Sequence, residues 1–416
     1  MPVIEAHGVY KIFGRRPERG VGWLQSGASR EELRERGLTA AVIDASFDAN
    51  DGEIFVVMGL SGSGKSTLIR MVNGLLEPTA GDMIVAGDNI TGLRGRALRE
   101  MRRQKVSMVF QHFALLPHRT VGENAAQALE VRGANRADRQ RAAEEALRMV
   151  GLDGWGGSYP DELSGGMRQR VGLARALASG TDVMLMDEAF SALDPLIRRE
   201  MQDQLIDLQH TLGKTILFIT HDLNEAMRLG DRIAMMRDGR IEQIGTSEQI
   251  LNDPANSYVA QFIQDVDRTR VLTAGAIMEP PVAVIGAESG PRTAHKLLRE
   301  HQMSALMVVD RSRRLRGVVY ETDVAQAVRS GANSLEGVLR QAHQVHTDDT
   351  LAEFIATAAQ AKEALAVLDR DERLVGVIPR VTLLNALADP EDPEMTENLK
   401  TGPVAGAASA GAGLPS

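Results

Sequence analysis

Short runs of consecutive apolar residues alternate with longer helical patterns over residues 1–265. Four of these runs are typical of strands covered on both faces: Ile54–Met58, Val106–Phe110, Val183–Met186 and Thr215–Thr220. Between the second and third runs the pattern becomes mostly helical, so we expect a helical insert in the sheet. The pattern therefore predicts a domain of the α/β class over residues 1–265, with a helical subdomain at about 112–175.

A second pattern begins after residue 265 and contains an internal repeat. Nine of the fifteen positions from 304 to 318 carry the residue that recurs 59 positions later. This self-similarity predicts a repeated strand–turn–strand–helix unit, in copies at about 273–330 and 335–388 of a second α/β domain spanning 270–388. Residues 389–416 are rich in Pro, Gly, Ala and Ser and predict a disordered tail.

The segment Arg15–Gly37 lies between two early strands and is rich in Arg and Glu. Ser29 and Glu32 have the spacing of a capping box, which predicts the start of a short helix. We interpret the segment as a surface excursion from the first domain.

Composition narrows the function classes. The net charge of −9 argues against a general nucleic-acid binder, which usually presents a strongly basic face. The absence of cysteine excludes disulfides, thiolate metal sites and cysteine nucleophiles. No apolar run approaches the roughly 20 residues that a membrane-spanning helix needs, so any membrane role is expected to act through partner subunits.

A glycine-rich loop follows the first of the four strands. Residues 59–67 match G-x-x-x-x-G-K-[ST], the P-loop, and lie between a strand and a helix. The pattern predicts an ATP phosphate site in which Lys65 reaches the β- and γ-phosphates and Ser66 ligates Mg²⁺. The nucleotide-binding candidates in this loop are Gly59, Ser61, Gly62, Ser63, Gly64, Lys65, Ser66 and Thr67.

Two adjacent acids end the strand at 183–186. Beside a P-loop, Asp187 is expected to hold Mg²⁺ through its water shell, and Glu188 is expected to polarise the water that attacks the γ-phosphate. The cofactors implied are ATP and Mg²⁺, and the predicted reaction is ATP hydrolysis.

Residues 163–170, Leu-Ser-Gly-Gly-Met-Arg-Gln-Arg, resemble the LSGGQ signature of the ABC ATPases, with Met167 in place of Gln. The resemblance implies that Ser164, Gly165 and Gly166 bind the ATP held by the P-loop of a second copy, so that the working unit is a homodimer. The remaining family motifs follow in order. Gln111 matches the Q-loop glutamine near Mg²⁺ and the γ-phosphate, and His221 matches the switch histidine that contacts the γ-phosphate. Asp194 ends the D-loop and is a further nucleotide-binding candidate.

The same resemblance implies catalytic roles for Lys65, Gln111, Glu188 and His221, and metal contacts for Ser66, Gln111 and Asp187. An aromatic residue near the N-terminus usually stacks on adenine in this family. Phe13 fits that position, and Tyr10 is an alternative.

Longer matching stretches at 110–118, 158–163 and 187–198, with the 15–37 insert, resemble the ATP-binding subunit of glycine betaine/L-proline importers. The resemblance implies an ABC-type transport ATPase that couples ATP hydrolysis to uptake of glycine betaine, proline betaine or L-proline. It also implies a peripheral position on the cytoplasmic face of the inner membrane. Its partners are then a permease, indirectly a substrate-binding protein, and no nucleic acid.

Choline or carnitine importers share this architecture. A soluble ABC ATPase acting on nucleic acid or ribosomes fits less well, because the chain has one uninterrupted motif set and no heptad stretch.

The repeated C-terminal unit resembles a tandem of CBS domains. In that family a G-h-[ST]-x-x-D motif holds the ribose of a nucleotide through its Asp. The first copy keeps Asp323 but has Tyr320 at the Ser/Thr position, and the second has Thr382 where the Asp is expected. A regulatory nucleotide and a purely structural or dimerising role both remain open for the CBS pair.

Overall fold

A computed structural model describes residues 1–264, 269 and 271–387 of the chain. The described residues fall into two compact units, which divide between residues 266 and 267. The disordered tail predicted for 389–416 lies outside the described residues. Among the described helices, none combines the length and apolar character needed to cross a membrane.

The first unit contains a four-stranded sheet, in the order β2-β1-β4-β5, and a six-stranded sheet, in the order β10-β9-β3-β8-β7-β6. Its strands are β1 (Pro2–Gly14), β2 (Leu38–Asn50), β3 (Ile54–Met58), β4 (Ala80–Val85), β5 (Asp88–Asn89), β6 (Val106–Phe110), β7 (Val183–Asp187), β8 (Thr215–Thr220), β9 (Arg232–Arg237) and β10 (Arg240–Gly245). Its helices are α1 (Glu18–Gln25), α2 (Arg30–Glu35), α3 (Lys65–Val72), α4 (Gly95–Lys105), α5 (Val121–Val131), α6 (Arg136–Met149), α7 (Gly165–Ala178), α8 (Pro195–Leu212), α9 (Leu223–Leu229), α10 (Ser247–Asn252) and α11 (Ser257–Ile263).

The four predicted strands are confirmed as β3, β6, β7 and β8, with β7 one residue longer than predicted. They are neighbours in the six-stranded sheet and run parallel. Every residue of β3 and β8 is buried, because helices or the second sheet cover both faces. Phe47 of the four-stranded sheet stacks on Phe55 of β3 with ring centroids 5.2 Å apart, within one continuous core that also holds α3.

The helical insert is confirmed between β6 and β7, where the structure has α5, α6 and α7. Each of the three begins at a residue whose side chain accepts a hydrogen bond from the first turn: Thr120, Asn135 and Ser164. The start of α7 is therefore fixed by the serine of the signature-like stretch.

The 15–37 segment forms α1 and α2, and the predicted capping box between Ser29 and Glu32 is present. The interpretation of this segment as a surface excursion is incomplete. Val21, Leu24 and Leu33 are buried in a small core with residues of β1 and β2. Its many Arg and Glu side chains concealed an apolar face that covers the four-stranded sheet.

The second unit confirms the repeat. Its elements are α12 (Ala274–Ile277), β11 (Val284–Gly286), α13 (Pro291–Glu300), β12 (Ala305–Val309), β13 (Leu315–Tyr320), α14 (Glu321–Arg329), β14 (Gln344–His346), α15 (Leu351–Gln360), β15 (Leu365–Leu368), β16 (Leu374–Ile378) and α16 (Arg380–Leu387). Each copy has a three-stranded sheet with one parallel and one antiparallel pair, β11-β12-β13 and β14-β15-β16. Apolar residues from both sheets share one core, so the two copies are packed on each other.

A buried carboxylate also links the two copies. The Tyr320 hydroxyl of the first copy donates to Glu363 Oε2 of the second at 2.7 Å, and His343 Nδ1 lies 2.9 Å from Glu363 Oε1. Burial alone would raise the pKa of Glu363, but the hydrogen bonds from Tyr320 and His343 outweigh burial and hold its pKa at about 2. Burial and the bond to Glu363 raise the pKa of Tyr320 to about 12.

Replacing Glu363 with Gln should destabilise the second unit by about 1–3 kcal/mol, because a charge-assisted acceptor is lost from a buried site. Since the pKa of Glu363 is depressed in the folded state, its contribution is complete above its ordinary value of 4.5 and disappears as the pH falls toward 2. Denaturant unfolding of wild type and Glu363→Gln between pH 7 and pH 2 measures both effects. The matched control is Glu336→Gln at an exposed position. Equal losses in the two variants, or a difference independent of pH, would contradict the prediction.

Candidate functional site

Four loops meet at one edge of the six-stranded sheet, because the carboxyl ends of neighbouring parallel strands lie side by side. The loop of residues 59–64 follows β3, and His221 follows β8. Asp187 and Glu188 lie at the end of β7, and Gln111 follows β6. The strand order thus brings these predicted residues to one edge although they are distant in sequence.

The glycine-rich loop has a backbone shape that only glycine allows at two positions. Gly59 has φ 151° and Gly64 has φ 107°. A Cβ atom on Gly59 would lie 2.1 Å from the carbonyl oxygen of Met236, and one on Gly64 would lie 2.3 Å from that of Ala41. The loop is therefore held against β9 and β2 by contacts that leave no room for a side chain.

The remaining loop residues present a mixed surface. Ser61 and Gly62 are exposed, whereas Ser63 is buried and its Oγ has no hydrogen-bond partner among the described residues. Thr67 donates its backbone N–H to Gly64 O at 3.0 Å in the first turn of α3. A glycine-rich turn, an unpaired buried hydroxyl and a helix N-terminus are features that fit a bound phosphate chain.

Lys65 is the first residue of α3 and only 4% exposed. Its Nζ donates to Gly59 O at 2.7 Å and to Leu60 O at 3.1 Å. Burial lowers the pKa of Lys65, and the nearby carboxylates of Glu188 and Asp187 oppose that shift. A buried cation at this position suits a polyanionic ligand.

Ser66 and Asp187 form a pair of oxygen donors. The Ser66 hydroxyl donates to Asp187 Oδ1 at 3.2 Å, and burial raises the pKa of Asp187 against the opposing effect of that hydrogen bond. Mg²⁺ in nucleotide sites typically takes one or two protein oxygens and completes its shell with phosphates and water. The donor set therefore fits Mg²⁺.

Glu188 has an unusual backbone conformation for a non-glycine residue, with φ 47°. Its N–H donates to Ile219 O at 2.9 Å, which ties it to β8. Its carboxylate Oε2 lies 3.1 Å from His221 Nδ1. The carboxylate of Glu188 therefore contacts the histidine that follows the neighbouring strand β8.

Gln111 joins the same group through Ser191. Its Nε2 donates to Ser191 Oγ at 3.1 Å, and that hydroxyl donates to Glu188 O at 2.9 Å. Gln111, Glu188 and His221, predicted from three separate motifs, are therefore connected by hydrogen bonds.

The two candidate aromatic residues differ in accessibility. Tyr10 is 7% exposed and packs in the core under α1 and α2, whereas Phe13 is 41% exposed. The Lys11 ammonium lies 5.3 Å from the Phe13 ring centroid. Phe13 pairs with Thr39 on β2, the strand whose Ala41 carbonyl contacts Gly64. Of the two rings, Phe13 is the one available for stacking.

The signature-like residues and Asp194 have local partners. Ser164 accepts from Met167 N at 3.3 Å, and Asp194 caps α8 by accepting from Ile197 N at 3.2 Å. Gly165 is open, whereas a Cβ on Gly166 would lie 2.6 Å from Ile197 Cγ2. No hydrogen bond within the part of the chain that the structure describes links residues 164–166 to the 59–67 loop.

In the second unit, the residues at the motif positions expected from the CBS resemblance contact other side chains of the chain. Asp323 accepts from Arg340 Nε and Nη2, both at 3.4 Å. Thr382, its counterpart in the second copy, donates to Glu279. With Tyr320 bonded to Glu363, the motif positions of both copies are engaged within the protein.

The structure adds residues that sequence reasoning missed. The group formed by Gln111, Glu188 and His221 is flanked by four further polar residues: Arg198, Thr220, Asp222 and Glu225. Arg198 ends one of the long matching stretches, which was the only sequence signal for it. The role of the others depends on strand order, which the sequence does not state.

Two parts of the chain match known protein families. Residues 42–191 match the family model "ABC transporter", and residues 274–330 match "CBS domain". A dimeric structure of a post-hydrolysis state of the ATP-binding cassette MJ0796, bound to ADP and Pi, superposes with a TM-score of 0.50 at 31% identity. It covers 59% of this chain and 98% of that one.

Three relatives match this chain over more than nine-tenths of its length and at higher sequence identity than that structure. The glycine betaine transport ATP-binding protein OpuAA of Bacillus subtilis is 49% identical over 92% of each chain. The glycine betaine/carnitine transport ATP-binding protein GbuA of Listeria monocytogenes is 48% identical over 94% of this chain and 99% of its own. ProV of Salmonella typhimurium, a glycine betaine/proline betaine transport system ATP-binding protein, is 48% identical over 92% and 97%. Such identity over nearly the whole length shows that the chain belongs to the ATP-binding subunits of ABC transporters, in the family that contains these glycine betaine transport proteins.

Proposed function

We propose that this chain hydrolyses ATP to drive uptake of glycine betaine or a related quaternary amine through a separate membrane subunit. The observation that carries the proposal is the 48–49% identity to three glycine betaine transport subunits over at least 92% of the chain. In this proposal residues 1–265 are the ATPase domain, with a helical subdomain at about 112–175. Residues 270–388 are the tandem CBS pair.

In the first step the triphosphate lies in the 59–67 loop, where Lys65 neutralises the β- and γ-phosphates. Bound Mg²⁺, held by Ser66 and Asp187 with Gln111 nearby, would supply charge neutralisation at the phosphates. The buried position of Lys65 strengthens its attraction for the phosphates, because little water screens the interaction.

Hydrolysis needs a group that orients or polarises the attacking water. Glu188 is proposed to polarise that water, and His221 to hold the γ-phosphate and to orient Glu188. The 3.1 Å contact between Glu188 Oε2 and His221 Nδ1 supports the pairing.

A second copy of the chain is the proposed partner in hydrolysis. Residues 164–166 lie at a helix N-terminus, which suits an anion, and have no described hydrogen bond to the chain's own phosphate loop. They are proposed to contact the ATP of the other copy, with Asp194 near the same interface. The likeness to a dimeric ATP-binding cassette supports this arrangement.

The permease is the proposed membrane partner, which would keep this chain peripheral on the cytoplasmic face, and a binding protein would deliver the solute to the permease. Solute choice is assigned to those partners. Carnitine is the second candidate, because it appears beside glycine betaine in the name of GbuA. For the CBS pair we favour a regulatory role exerted through the packing of its two copies, since the motif residues Tyr320 and Asp323 already bond to Glu363 and Arg340 of the same chain.

Replacing Glu188 with Gln should abolish ATP turnover but preserve ATP binding, because the amide keeps the side-chain shape and loses the base. The variant should accumulate as an ATP-bound dimer. Steady-state phosphate release, ATP titration and size-exclusion chromatography with ATP measure the three effects. Hydrolysis at the wild-type rate would exclude Glu188 as the base.

Replacing Phe13 with Ala should weaken ATP binding by about 1–3 kcal/mol, the usual value of one base–aromatic stack. Phe13→Trp should retain most of the affinity, because it keeps an aromatic face. Titration with a fluorescent ATP analogue compares them. If Phe13→Ala binds as tightly as wild type, the adenine lies elsewhere.

Deleting residues 270–416 should leave the ATPase site intact but change how transport responds to salt or nucleotide. Uptake and ATP hydrolysis are measured against ionic strength and added nucleotide for full-length and truncated chains, each with the permease and the binding protein. Identical responses of the two forms would remove the regulatory role.

A further inference from the structure

Arg198 of α8 lies between two of the loops at the proposed ATP site. Its Nη2 donates to the carbonyl oxygens of Ser191 at 3.3 Å and Leu193 at 3.2 Å, and its Nη1 donates to Asp222 Oδ2 at 3.2 Å. Its side chain is 28% exposed and that of Asp222 is 33% exposed. One guanidinium therefore bridges the loop after β7 and the loop after β8.

The first loop carries Glu188. The Ser191 backbone N–H donates to Glu188 O at 3.2 Å, and the Ser191 hydroxyl both donates to that oxygen and accepts from Gln111. By holding the Ser191 carbonyl, Arg198 restrains the residue that connects Glu188 to Gln111.

The second loop carries His221, whose two neighbours are both anchored. Asp222 accepts from Arg198 through Oδ2, caps α9 by accepting from Glu225 N through Oδ1, and donates its own N–H to Thr220 Oγ1 at 2.9 Å. Thr220 in turn donates to the buried carboxyl group of Glu225. The residues before and after His221, Thr220 and Asp222, are thus both anchored by hydrogen bonds. Arg198 supplies one of the bonds to Asp222.

Four hydrogen-bonded contacts join Arg198 to Ser191, Ser191 to Glu188, Glu188 to His221 and Asp222 to Arg198, and the peptide bond between His221 and Asp222 closes the ring. From this ring we propose that Arg198 is a positioning residue for ATP hydrolysis, which fixes the distance between Glu188 and His221. The inference rests on the proposed roles of Glu188 and His221. A planar guanidinium can satisfy both loops at once because its donors are fixed in a fork, whereas a Lys ammonium cannot reproduce all three contacts.

Positioning predicts a specific kinetic signature. In the full-length chain, Arg198→Ala should lower kcat for ATP hydrolysis on the order of ten- to a hundredfold, because small displacements of reacting groups are costly. The KM for ATP should stay near that of wild type, since the phosphate loop is unchanged. Arg198→Lys should recover part of the loss.

Two further variants separate positioning from folding. Asp222→Asn keeps the α9 cap, because Asn caps as well as Asp, but loses the ion pair, so kcat should fall in the same direction. Arg198→Ala combined with Asp222→Asn should lose no more than the larger single effect, because both break the same link. The matched control is Arg199→Ala, an exposed neighbour on α8 that should leave kcat unchanged.

Thermal unfolding of each variant checks that it is folded. If Arg198→Ala does not fold, Arg198→Lys and Asp222→Asn carry the test. A folded Arg198→Ala with the kcat of Arg199→Ala, a change in KM alone, or additive losses in the double variant would overturn the inference. These outcomes leave the proposed function standing. The proposed role of Glu188 as the base fails separately if Glu188→Gln hydrolyses ATP as wild type does.

Discussion

The site depends on the parallel order of β3, β8, β7 and β6. Parallel strands present their carboxyl ends at the same edge, so each strand delivers the residue that follows it to a common place. This order sets the P-loop beside His221, and His221 beside Glu188. The apolar strands that fill the core are therefore also the elements that align the chemistry, and a register change in any of them would separate the reacting groups.

Backbone strain and buried charge both occur at this edge. Two glycines of the phosphate loop approach backbone carbonyls too closely for a side chain, and Glu188 adopts a left-handed conformation. Burial lowers the pKa of Lys65 and raises that of Asp187, so both charged forms are disfavoured by the protein alone. In the proposed function, the phosphates of ATP would favour the charged form of Lys65, and Mg²⁺ would favour that of Asp187.

Much of this was predictable from sequence. The four buried strands, the helical insert, the capping box at Ser29 and the C-terminal repeat were all predicted from local patterns and are confirmed. The apolar face of the 15–37 segment was missed because charged residues dominate its composition. The choice between Phe13 and Tyr10, and the contacts of Arg198, depend on which strands are neighbours and how deeply each ring is buried. Neither the order of the strands nor the burial of a ring can be predicted from the local sequence.

The direct test of the proposed function is uptake of labelled glycine betaine into proteoliposomes that hold this chain, its permease and its binding protein, with this chain and ATP inside the vesicle and the binding protein outside. The proposal predicts that labelled glycine betaine accumulates in the vesicles only when ATP and this chain are present. It also predicts that unlabelled proline betaine reduces this accumulation by competition. ATP hydrolysis without ATP-dependent uptake of any quaternary amine would contradict the assignment of the solute while leaving the ATPase assignment intact.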